Sequence, residues 1–288
     1  MALATWVNTS RPRDDEEAVA LDGKTVRGAA TDKQKGPHLL SFCTHQSQET
    51  LLQGRVPAKT NEIPVAKMLL PSLPLCPRVY TADALHTHAA FMEVVRVCSG
   101  CSVLTVKANQ PFLYADLATY FNDPGTLIAP FERDCTIDRR RGRVETRTIE
   151  VSCGMNNYLA PTWPLVRQVA RLTRTVTVRK TGKTTQEVVY LITDLTQIQA
   201  SPRRLLDLTR GHWSIENGLH YVRDVSFGED RSRLRTGSAP QIMAALRNLA
   251  ITLIHRSGSS QIAASRRHFA AHPREAVTLL LQRRSAQQ

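Results

Sequence analysis

The chain has 288 residues, 42% hydrophobic and 22% charged, an ordinary globular composition long enough to bury a sizeable core. No run approaches the roughly 18 apolar residues of a membrane span. The charged start around Arg11, Arg13, Asp14 and Glu16 lacks the apolar core of a signal peptide, and the six cysteines set no disulfide framework, so a cytoplasmic, nucleoid-associated protein without a membrane is expected.

The net charge is +13, and it is unevenly spread. From residue 201 onward there are 14 Arg, no Lys and 6 acidic residues, so 14 − 6 = +8 falls in the last third. Such a surface attracts polyanions, because each neutralised phosphate releases condensed counterions, and nucleic acid is the first partner to expect.

Short β-type runs are expected at 18–22, 38–45, 78–83 and 102–107, with helices at 62–70, 88–98 and 111–120, the first with Thr60 or Asn61 as N-cap. This is an α/β pattern. Residues 121–200 read differently. RVETRTIEVS alternates, and the runs 171–179 and 185–192 face each other across KTGK at 180–183, so an all-β insertion is expected there. Ser201-Pro202 then starts a long helix with Leu205, Leu208, Ile215, Leu219 and Val222 at helical spacing. Ser238-Ala239-Pro240 starts another, whose Ile242, Leu246, Leu249, Leu253 and Ile254 form an apolar stripe expected to be core. The expected divisions are a short N-terminal segment 1–17, a core in two parts at 18–120 and 201–256 separated by the insertion 121–200, and a helical tail 257–288.

Asp22 follows the apolar run 18–21 and precedes Gly23, which predicts a carboxylate at the carboxyl end of a buried strand, where α/β sheets present ligands. Asp83 repeats the arrangement after residues 79–82. Two carboxylates at one sheet edge repel, and they either share a proton or bind hard cations such as Mg²⁺ or Mn²⁺. Taken singly, each Asp equally suits the cap of a turn or helix. Glu216 is the candidate third acid, mid-helix, with Thr209, His212, Trp213, His220 and Arg223 at i−7, i−4, i−3, i+4 and i+7, expected largely on one helix face. Cys98 and Cys101 have zinc-like spacing, but no second ligand pair follows and the adjoining run reads as buried strand.

Four blocks carry a family resemblance: LDGKTVRGA at 21–29, KTNEIP at 59–64, TADALHT with VKANQP at 81–87 and 106–111, and RGHWSIENGLHYVRDVSFGEDRSRLRTGSAP at 210–240. Together they make the chain similar to the insertion-sequence DDE transposases of the H-repeat-associated family. The resemblance implies a ribonuclease-H-like core with a mixed central sheet, interrupted by the all-β insertion before the helix carrying the catalytic glutamate. It implies Asp22, Asp83 and Glu216 as catalytic acids and as ligands of two Mg²⁺ or Mn²⁺ ions, Asp22 bridging both. Water and then a DNA 3′-hydroxyl would attack, with double-stranded transposon ends and target DNA as partners and a homodimer as the active complex. The broader group places Tyr and Arg ahead of the glutamate and Lys behind it; here Thr209, His212 and Arg223 hold those places. Relatives carry a further N-terminal segment, so the chain is expected to be shortened at its front.

Lys24, Arg27, Lys59, Lys107, Asn109 and Gln110 fall in the matched blocks and are expected to grip DNA phosphates or bases, with plain solvation as the alternative. His212, Trp213 and Arg223 join that set. Arg231, Arg233 and Arg235 alternate so as to line a strand of DNA, or else to pair with Glu229 and Asp230. Trp213 suits base stacking, or core packing beside Ile215; His86 and His212 suit proton transfer, or structural hydrogen bonding. Two other readings compete with the transposase. One is a non-catalytic DNA-binding remnant that regulates transposition. The other is a small-molecule metallophosphatase, which has little need of so basic a last third.

Overall fold

The computed structural model describes residues 17–32, 34–123 and 131–281. Of the expected N-terminal segment only Glu17 lies within them, and the tail is described to Leu281. The fold is mixed α/β and divides into two compact units, residues 1–78 with 211–288, and residues 79–210.

The first unit begins with three antiparallel strands in the order β3-β2-β1: β1 (Val19–Thr25), β2 (His38–Thr44) and β3 (Thr50–Val56). Asp22 pairs with Ser41, and a bulge between Phe42 and Cys43 shifts the β2–β3 register. β1 runs three residues past the expected end at Asp22; what ends near there is its burial, complete through Leu21 and partial from Asp22 onward. α1 (Glu62–Leu69) follows, its N-cap Asn61 accepting from the Ile63 amide.

The second unit holds β4 (Val79–Ala82), α2 (Ala89–Val97), β5 (Cys101–Val106) and α3 (Pro111–Asn122), with β4 and β5 parallel. Then come β6 (Glu132–Arg140), β7 (Arg143–Ser152), the single helical turn α4 (Asn156–Leu159), β8 (Gln168–Val178) and β9 (Thr184–Thr193). β6 to β9 form an antiparallel meander, and β9 closes it against β5. The β6–β7 turn puts both Arg141 and Gly142 at positive φ, as a two-residue hairpin needs to match strand twist. α5 (Pro202–His212) follows, burying Leu205, Leu206 and Leu208.

The chain then re-enters the first unit, and here the expected long helix is not uniform. Residues Ile215–His220 form a π-helical turn, followed by α6 (Tyr221–Val225), α7 (Ala239–Arg256), α8 (Ile262–Ala271) and α9 (Pro273–Leu281). Ile215 and Leu219 pack with Ala20 of β1, Cys43 of β2 and Ile251 and Ile254 of α7 in one core. The stripe expected on α7 splits. Leu253 and Ile254 are buried, while Ile242 is 53% and Leu246 43% exposed. α7 turns Ala244, Arg247, Asn248 and Ile251 inward instead, because Arg247 answers a buried carboxylate, Glu229, which also takes two hydrogen bonds from the fully buried Arg223. Charges removed from water must be paired, and that requirement overrides the apolar periodicity.

Candidate active site

Alternate residues of β1 share a face, so Ala20, Asp22 and Lys24 point the same way. Ala20 lies against Ile215 and Leu219, Asp22 Oδ2 stands 3.3 Å from His220 Nδ1, and Lys24 Nζ is 2.7 Å from Asp224 Oδ2. Two residues of strand advance about 6.7 Å and four residues of helix about 6 Å, so the two rows stay in step. Asp22 Oδ1 accepts its neighbour's Gly23 amide at 2.8 Å, and the side chain is 23% exposed.

Glu216 precedes His220 by four residues and is exposed. Its carbonyl accepts from the Tyr221 amide, the five-residue bond of a π turn. The extra residue in that turn breaks the α spacing on which the single-face expectation for Thr209, His212, Trp213, His220 and Arg223 rests. Trp213 is 54% exposed, which corrects its core reading, and Arg223 is fully buried. Among the described residues, neither Asp22 nor Glu216 belongs to a group of three His, Cys, Asp or Glu donor atoms within 4.8 Å of one another.

The other face of β1 is clamped as well. His38 joins Glu62 Oε1 through Nε2 at 2.6 Å and Thr25 Oγ1 through Nδ1 at 2.8 Å. The Glu62 bond raises the His38 pKa above its ordinary value. This pair lies directly over Gly23, where any Cβ would collide with the Glu62 carboxylate and the His38 ring. Facing the π turn, the β2–β3 loop sets the His45 ring on Gly211 and the Gln48 amide on Gly218, with no room for a Cβ at either. Burial, reinforced by the charge of His212, lowers the His45 pKa to about 4.

In the second unit all four residues of β4 are buried and deliver Asp83 to a half-buried position. Its Oδ1 accepts the Leu85 amide at 3.0 Å, capping the 3-10 turn Ala84–His86. Asn109 Nδ2 donates to the Ala84 carbonyl at 2.6 Å, Gln110 Nε2 to the Thr87 carbonyl at 2.8 Å, and Thr87 Oγ1 to the Thr105 carbonyl at 2.6 Å. The blocks TADALHT and VKANQP are thus one braced loop pair. Asn109 and Gln110 spend amide donors on it, which gives both a structural task that the DNA-contact expectation did not include. His86 is fully buried with its ring 5.3 Å from Phe91, the structural alternative for that residue.

Residues 13–253 match the family described as the transposase DDE domain. The chain belongs to that family. It is 28% identical over 255 residues to "Putative transposase YncI" of Escherichia coli O157:H7, an alignment covering 86% of this chain and 64% of the relative. It is 24% identical over 258 residues to "H repeat-associated putative transposase YhhI" of Escherichia coli K12, covering 86% and 67% respectively. The chain therefore spans about two thirds of the length of these curated relatives. A cryo-EM structure of the piggyBac transposase synaptic complex with hairpin DNA aligns with a TM-score of 0.45 and 11% identity over 84% of this chain and 47% of that one.

The basic residues of this DDE-family chain fall into two groups. Arg27, Lys59, Lys107, Arg231, Arg233 and Arg235 are exposed. Glu229 turns inward to Arg223 and Arg247, so it is not the partner of the RSRLR arginines; Arg235 Nε donates instead to the Gly28 carbonyl at 3.4 Å. Lys24 and Arg223 are committed. The Lys24 side chain is 10% exposed and bound to Asp224, and the Arg223 guanidinium holds Glu229 at 2.7 Å inside the core. Arg223 thus serves Glu229 rather than the expected DNA phosphate, since a turn outward would leave that buried carboxylate short of its main partner. His220, Asp224, His38 and Glu62 are the residues that the sequence left without a role. Only the match in spacing between β1 and the HYVRD run pointed to the first two. Cys98 and Cys101 are buried, burial raises both thiol pKa values, and neither joins a three-ligand group among the described residues.

Proposed function

We propose that the protein is a metal-dependent DNA transposase, built on a ribonuclease-H-like core, that cuts and joins phosphodiester bonds at the ends of an insertion sequence. The observation that carries this reading is the face of β1, where a partly exposed Asp22 carboxylate stands against the helical segment bearing Glu216, in a chain of the transposase DDE domain family. Asp83, half-buried at the end of β4, is the third acid of the proposal, and its cap bond uses Oδ1.

The donors suit the implied ions. Three carboxylates offer only hard oxygen, the choice of Mg²⁺ or Mn²⁺. Asp22 meets its histidine at the loose distance of 3.3 Å, and Glu216 is exposed. When bound, two such ions would stabilise charge on the attacking and leaving oxygens of the phosphate. The chain's own residues do the rest. Gly23 and His220 orient the Asp22 carboxylate, Asn109 and Gln110 fix the loop of Asp83, and the exposed Arg27, Lys59, Lys107, Arg231, Arg233 and Arg235 hold DNA phosphates. Trp213, exposed three residues before Glu216, offers a ring for an unstacked base. The proposed partner is double-stranded DNA in the cytoplasm, engaged by a homodimer; among the described residues no helix is long and apolar enough to cross a membrane.

The test is nicking of the element's own ends in Mg²⁺ or Mn²⁺ by Asp22→Asn, Asp83→Asn and Glu216→Gln, with DNA binding measured alongside. Each variant should lose cleavage by about a thousandfold or more while still binding. Full cleavage by any one removes that acid from the assignment. Salt-sensitive binding by the parent chain without any nicking replaces the enzyme with the non-catalytic regulator.

A further inference from the structure

Among the described residues, one group of three His, Cys, Asp or Glu side chains offers a donor atom each within 4.8 Å of the others: His268, His272 and Glu275. We infer that this corner between α8 and α9 binds a d-block divalent cation of the zinc, nickel or cobalt kind, separately from the carboxylate chemistry proposed above.

The corner's backbone is already fixed. The His272 amide donates to the His268 carbonyl at 2.9 Å, and the Glu275 amide to the His272 carbonyl at 3.1 Å. Four-residue spacing puts the two imidazoles on one side, with ring centroids 4.5 Å apart, and Glu275 Oε2 lies 2.7 Å from His268 Nε2. His272 Nδ1 is engaged by the His268 carbonyl at 3.0 Å, which orients that ring. Metal–nitrogen and metal–oxygen bonds of about 2.0–2.2 Å put neighbouring ligand atoms about 3.4 Å apart, so small side-chain rotations close the set. All three residues are exposed, so water completes the coordination.

Two features set the class of ion. Two imidazoles with one carboxylate favour borderline metals over Mg²⁺ or Ca²⁺. The histidines also stand at the carboxyl end of α8, where the helix dipole favours positive charge. An ion held there would tie α8 to α9 and stiffen the corner.

Cobalt gives a direct readout, because its visible absorption reports coordination. The full chain, titrated with Co²⁺, should take up one ion at this site with a visible band that Zn²⁺ displaces and excess Mg²⁺ does not. His268→Ala/His272→Ala should lose the band and weaken Co²⁺ binding at least about tenfold, with an unchanged circular dichroism spectrum. Asp22→Asn should keep both. The inference is overturned if the double variant binds Co²⁺ as the parent does, if the band vanishes in Asp22→Asn instead, or if the parent shows no uptake tighter than about 1 mM.

Discussion

Asp22 is positioned by side chains far along the chain, Asp83 by its own neighbourhood. The pair that secures the Asp22 face, Lys24 with Asp224, spans 200 residues, whereas the bonds bracing the Asp83 loop span no more than 25. The Asp83 loop can therefore take shape once β4 and β5 pair. The Asp22 face exists only after the segment from Ile215 to Asp224 has docked on β1. One acid inherits the stability of a local loop, and the other inherits that of a long-range helix packing.

Glu229→Ala leaves Arg223 and Arg247 buried and unpaired beneath the helix that faces Asp22. A loss of about 3–5 kcal/mol in urea unfolding is expected. Hydrogen exchange should rise first in residues 215–225 and least in the loops around Asp83 and Asn109. Uniform exchange over both regions would mean that the two acids rest on one common stability.

A finer test sets His220→Ala against Asn109→Ala. His220 touches Asp22 directly, and its removal should cut cleavage about 10- to 100-fold with little change in DNA binding. Asn109 acts through the Ala84 carbonyl, so its loss should cost about 1 kcal/mol of stability and a smaller share of rate. The reverse order would mean that the Asp83 side is the more delicately held.

The smallest effect is one of pH. Burial lowers the His45 pKa from 6.5 to about 4, so between those values the unfolded chain binds more protons and stability falls as the solution is acidified. His38 runs the other way. Its pKa is raised by Glu62, so its contribution is complete below the ordinary value and fades as pH climbs through the raised one. His45→Asn should flatten the acid-side loss in denaturant midpoints measured from pH 6.5 to 4, and His38→Asn should leave that window unchanged.

Much of the first 120 residues, together with the hairpin at 180–183, was legible because the signals are local. The Asn61 cap, the apolar runs of β2, β4 and β5, and the KTGK hairpin need only neighbours to be read. β3 escaped because TLLQGRV carries a glycine and a charge, and it becomes a strand by pairing with β2 across a bulge. The π turn had no local signature. It accompanies the close seating of Gly211 and Gly218 under His45 and Gln48, residues supplied from the far end of the sequence. The burial of Arg223 is hidden from the sequence for the same reason: its partner Glu229 lies nearby in sequence, but the burial of both depends on Arg247 and the packing of α7. The places of Asp22 and Asp83 beside the buried parts of β1 and β4 were readable, whereas the partner of Asp22 across the fold, His220, was not.

β1 presents opposite chemistry on its two sides, Asp22 and Lys24 to the helix and Gly23 and Thr25 to His38 and Glu62. Deleting one residue from its buried half would rotate every later side chain through half a turn. Asp22 would then leave His220 for the opposite face, glycine would take its place there, and Lys24 would lose Asp224 and be set against His38 and Glu62. Length in this short segment is thus as constrained as its composition: a frame-preserving loss of a single codon there should be more damaging than most substitutions.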